Sequence, residues 1–92
     1  MASYINTRIR QSADKQKWVV EGQSGSTFNW ETLMTYPADR AQAQEKAINA
    51  ACKLALDFSK KNRQAVTAYN TAGYAMACYL KGEPHNLRGS RT

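Results

Sequence analysis

One histidine, two cysteines and thirteen lysines and arginines are the side chains through which this chain could do chemistry. A nucleophile needs a base within hydrogen-bond reach and a third group to orient that base. His85 stands alone in a polar tail and reads as a solvated histidine rather than a base. A metal site needs three or four ligands at fixed spacing. Cys52, Cys78 and His85 are too few, and the cysteines lie in apolar surroundings. The opening MASYINTRIRQ has no apolar signal core, so both cysteines are expected to be reduced core thiols in a cytoplasmic protein. The GQSG at 22–25 is too short for a phosphate loop, lacks its lysine, and reads as a turn. These residues lead to an expectation of binding without turnover: no enzyme, no metal, no cofactor, no small-molecule substrate.

The cations are the positive signal. Net charge is +6 and the sequence pI is about 9.6, which suits a negative partner such as nucleic acid, a ribonucleoprotein or an acidic protein surface. Arg8 and Arg10 are expected on one strand face with Tyr4, and Lys15 and Lys17 lie across the following turn. Cations for phosphates beside a ring for stacking make a phosphate-and-base surface; an ordinary solvated sheet face is the other reading. Lys60, Lys61 and Arg63 form a second cluster. It could meet an anionic partner, although a helix C-terminal dipole alone would favour two of the three. Arg88 and Arg91, in the tail, could fold as an arm onto an anionic groove, since guanidinium forks suit phosphate oxygens.

The elements that must position these groups begin with a helix over 39–61, DRAQAQEKAINAACKLALDFSKK, rich in alanine and free of Gly and Pro. Asp39 and Gln42 read as its capping box. Gln42, Glu45, Lys46, Asn49, Lys53, Asp57 and Lys60 make a wet face; Ala47, Ile48, Ala51, Cys52, Leu54, Ala55 and Phe58 make the face to be covered. Alternation predicts strands over 3–11, 16–21 and 27–35, with a flexible loop at 22–26 and Tyr36 and Pro37 ending the third. Trp18, Phe28, Trp30 and Phe58 are expected in the core, with one tryptophan left for an interface as the alternative. Residues 62–81 fit two descriptions. Alanine content and the following Gly82 and Pro84 favour a second helix; Thr and Tyr content around Asn70 and Gly73 supports a hairpin. The helix is the preferred reading. The expected fold is α+β: a three-stranded antiparallel sheet packed by one long helix and a second helix, the alternative being βββα followed by a β-hairpin. Residues 1–83 would form one domain and 84–92 a flexible basic tail. No apolar run reaches the length of a membrane span.

The length, the YINTRIRQ opening and the helix DRAQAQEKAINAACKLA together resemble a small phage-encoded anti-CRISPR protein, of the eighth-numbered family of type I-F inhibitors. The resemblance covers most of the chain and is anchored by no catalytic or ligand motif. It implies a non-enzymatic inhibitor, acting in the bacterial host cytoplasm, that binds an RNA-guided CRISPR–Cas ribonucleoprotein. Cas backbone subunits and guide RNA would be its contacts, and target DNA hybridisation the step blocked. Direct RNA or DNA binding is the runner-up, and a phage accessory protein with incidental charge the third reading.

Overall fold

A computed structural model describes residues 4–25 and 29–84. Three strands come first, β1 (Tyr4–Gln11), β2 (Lys17–Ser24) and β3 (Trp30–Pro37), joined as antiparallel neighbours. Helix α1 (Ala43–Asn62) then crosses the sheet and delivers β4 (Ala65–Tyr69) parallel to β1. β5 (Ala75–Leu80) and the two-residue β6 (Glu83–Pro84) complete the order β3-β2-β1-β4-β5-β6. The class is α+β, but the sheet is mixed. It has five full strands and a short sixth, where three antiparallel strands were expected.

The second helix over 62–81 is not formed; a hairpin stands in its place. The Asn70 side chain accepts from the backbone N–H groups of Ala72 and Tyr74 at 3.0 and 2.9 Å, and Gly73 takes φ +86°. Such a turn satisfies the backbone locally, as Asn commonly does. Tertiary pairing decides the rest: β1 has a free edge, and Val66 and Ala68 alternate inwards to bury completely beneath Ala55. Gly82 is not a helix stop. Lys81 and Gly82 (φ 56° and 83°) form the two-residue turn into β6, with both central residues left-handed as a type I′ hairpin requires.

The long helix starts four residues later than expected. Asp39 does not cap it; Gln42 is the N-cap, in a left-handed conformation and without a side-chain bond. Its buried stripe is stricter than the amphipathic pattern suggested: Ala43, Ala47, Ala51, Ala55 and Ser59, every fourth residue. Ile48, Leu54, Cys52 and Phe58 flank the stripe half-buried. Small side chains let the helix backbone approach the sheet. The Thr7 hydroxyl donates to the Ala51 carbonyl at 2.9 Å in the fully buried layer between them. Ile9, Val20 and Val66 fill the rest of that layer.

β3 extends through Pro37, which a ladder tolerates because β3 is an edge strand. β2 extends through Ser24, across residues expected to be loop. Gly22 sits within it because a Cβ there would lie 2.8 Å from Cδ1 of Tyr4 and 2.9 Å from Cδ1 of Leu33. The molecule measures 38 × 33 × 18 Å. Its short dimension is one helix layer on one sheet, and among the described residues no element covers the other sheet face.

Candidate partner-binding surface

The uncovered face is built around Glu21. β1 and β2 set Arg8 opposite Glu21 as Cα partners, with Arg10 two residues along on the same face. Arg8 Nε lies 2.8 Å from Glu21 Oε1, and Arg10 Nε lies 3.1 Å from Oε2. One carboxylate, its side chain only 6% exposed, thus holds two guanidiniums that are 35% and 45% exposed. Arg8 also lies over the Trp30 ring, 4.0 Å from its centroid, a cation–π placement that fixes the guanidinium plane. Both arginines meet Glu21 at the Nε edge.

Tyr4 does not join them. A register shift between Tyr4 and Asn6 turns Tyr4 to the helix face, since one extra residue inverts the alternation. Its ring packs on Phe58 at 4.7 Å and its hydroxyl donates to Glu31 Oε1 at 2.5 Å. That bond, then burial, raises the phenol above its ordinary range. Lys17 does share the open face, alternating with Val19 and Glu21 along β2. Lys15 sits in the β1–β2 turn with φ 60°. There Asp14 accepts from Ser12 Oγ at 2.6 Å and from the Gln16 N–H at 3.0 Å, bonds that hold its carboxyl below the usual range. Trp18 faces the helix as expected; Trp30 is not core but a floor for Arg8.

The second basic cluster gains a member. Lys60, Lys61 and Arg63 end α1, where Arg63 is the left-handed C-cap. The β5–β6 turn folds onto this end: the Gly82 N–H donates to Ser59 Oγ at 3.0 Å and a Cβ on Gly82 would meet Lys60 Cβ at 3.0 Å. Lys81 therefore stands beside Lys60. None of these four forms an ion pair among the described residues. β4 starts at this end and runs parallel to β1, while Lys15 and Lys17 lie beyond the other end of β1. Eight residues of strand separate the two ends, roughly 26 Å.

His85, Arg88 and Arg91 lie outside the described residues, as does Phe28. Cys52 and Cys78 are free thiols; burial pushes Cys52 up, away from the reactive thiolate. Among the described residues no group of three or more His, Cys, Asp or Glu could hold a metal ion. No described helix is long and apolar enough to cross a membrane.

One further feature was not legible in the sequence. Between α1 and the edge strand β3 runs a groove of about 410 Å³. Met34, Tyr36, Ala50 and Leu54 are its apolar lining; Lys46, Asn49, Lys53 and Asp57 are the polar groups along it. Comparison with known proteins gave no match to a family model, a curated protein or a solved structure.

Proposed function

We propose that this chain is a stoichiometric, non-enzymatic inhibitor of an RNA-guided nucleoprotein complex of the type I-F CRISPR class. It grips Cas backbone subunits and guide RNA through basic surfaces, and obstructs pairing of target DNA. The observation that carries the reading is the open sheet face, where Glu21 fixes Arg8 and Arg10 side by side and Trp30 supports Arg8 from beneath. Guanidiniums already held in place lose less freedom when they meet an oxyanion than free side chains do. The cluster of Lys60, Lys61, Arg63 and Lys81, where α1 ends, offers a second foothold. The resemblance of YINTRIRQ and of the alanine-rich helix to type I-F inhibitors supports the choice of target.

The test mixes purified protein with an assembled type I-F surveillance complex at moderate salt. The expected result is co-elution on gel filtration and loss of target-DNA binding, with weak binding to naked RNA. Tight, steeply salt-dependent binding to naked RNA or DNA without co-elution would favour a direct nucleic-acid module instead. Neither behaviour would leave an accessory protein whose charge has no partner.

A further inference from the structure

β3 is the outer strand of the sheet, and among the described residues no strand pairs with its outer edge. Natural sheet edges are blunted by lysines, prolines, inward charges or bulges, because unpaired N–H and C=O groups invite another strand; β3 has one bulge, at Leu33. β3, WETLMTYP, has no cation, its glutamate is the second residue and its proline the last. Residues 32–36, Thr-Leu-Met-Thr-Tyr, carry no charge at all. The register shift opposite Val20 and Glu21 turns both Leu33 and Met34 to the helix side. The groove under α1 therefore opens along this same edge, lined by Met34, Tyr36, Ala50 and Leu54.

We propose that the β3 edge and the adjoining groove form a docking site for an extended, acidic segment of a partner protein, which adds as a seventh strand beside β3. Backbone hydrogen bonds to β3 supply the adhesion, and an apolar side chain on the helix side of the incoming strand fills the groove. Charge selects the occupant. Lys46 and Lys53 stand along the groove, with Asp57 in contact with Lys53 at 3.7 Å, and Lys17 lies one strand inward on the opposite face. A glutamate or aspartate flanking the apolar anchor is drawn to these cations. A second copy of this chain, itself carrying +6, is repelled. This site lies on the helix side and at the edge, so it stands whether or not the arginines of the open face bind RNA.

The probe is a blocked octapeptide in which leucine alternates with glutamate, titrated into the ¹⁵N-labelled protein. Amide shifts should change along β3 and in α1 around Ala50 and Leu54, with saturation below about 1 mM. The same peptide with lysine for glutamate should bind about tenfold more weakly or worse. Ala50→Arg fills the groove from a half-buried helix position, and arginine is a good helix former. It should abolish the shifts while leaving cooperative thermal unfolding intact, with slightly later elution from an anionic column as its added charge requires. Absence of shifts up to millimolar peptide overturns the proposal, as does equal binding of the lysine peptide. A concentration-dependent dimer that Ala50→Arg dissolves also overturns it, because the edge would then belong to a second copy.

Discussion

Glu21 decides how the open face presents its charge. Replacing it by glutamine removes the charge-assisted half of two contacts at once. Since both arginines are a third to a half exposed, the cost to stability should be about 1–2 kcal/mol, read as a fall in Tm. The binding readout is sharper. Glu21→Gln raises the net charge by one, so a protein acting only through its overall field should elute later from heparin. If the held arginines matter, it should elute earlier, and later elution would sink that account. Charge reversal of Arg8 and Arg10 is a poor test, because it would place three carboxylates together. Tyr4 offers a pH probe. Its phenol is raised, chiefly by the bond to Glu31, so its contribution is present below the ordinary tyrosine value and is lost as pH rises through the folded one. The tyrosinate absorbance missing in Tyr4→Phe should accordingly appear at higher pH than that of a free tyrosine. Neither Glu21's two partners nor Tyr4's orientation was legible in the sequence. Alternation along β1 placed Arg8 and Arg10 together correctly. Cross-strand register and a bulge next to Tyr4 are properties of pairing, and no single strand encodes them.

At the scale of elements, the helix was legible and its closeness to the sheet was not. Alanine every fourth residue reads as helix propensity; its structural role is to bring the Ala51 carbonyl within reach of Thr7. Ala51→Leu should therefore force α1 off the sheet and cost about 1–3 kcal/mol, although leucine is a good helix former. Thr7→Val, nearly isosteric, should cost about 1 kcal/mol through the absent hydrogen bond alone. Denaturant midpoints for the two variants separate overpacking from hydrogen bonding; equal effects would argue that packing is loose at this layer. The segment after the helix misled for a physical reason. Residues 62–81 hold enough alanine for a helix, and what overrides it is the vacant edge of β1, some sixty residues upstream. The local clue was Asn70. Asn70→Ala removes the side-chain oxygen that accepts from two backbone N–H groups in the turn and should loosen the β4–β5 hairpin, seen as faster amide exchange in β5 than in β2.

Across the whole molecule, the arginines of the open sheet face and the lysines where α1 ends form two separate basic regions, and the question is whether a single partner meets both. Arg8→Gln with Arg10→Gln tests one region. Lys60→Gln with Lys61→Gln tests the other, and glutamine keeps much of the apolar stem that Lys60 lays against Gly82. The two regions share no side-chain contact and lie far enough apart for their free energies to add. If one ribonucleoprotein meets both regions, each pair should weaken binding by about tenfold and the fourfold variant by about a hundredfold. The salt dependence should also flatten with each pair, because every phosphate left without its cation takes about 0.7 from the slope for single-stranded nucleic acid. If the regions instead serve separate partners, one pair alone should carry the whole loss and the other should change nothing. That pattern would leave obstruction by a single clamped wedge without support. It would assign the complex to whichever region responds.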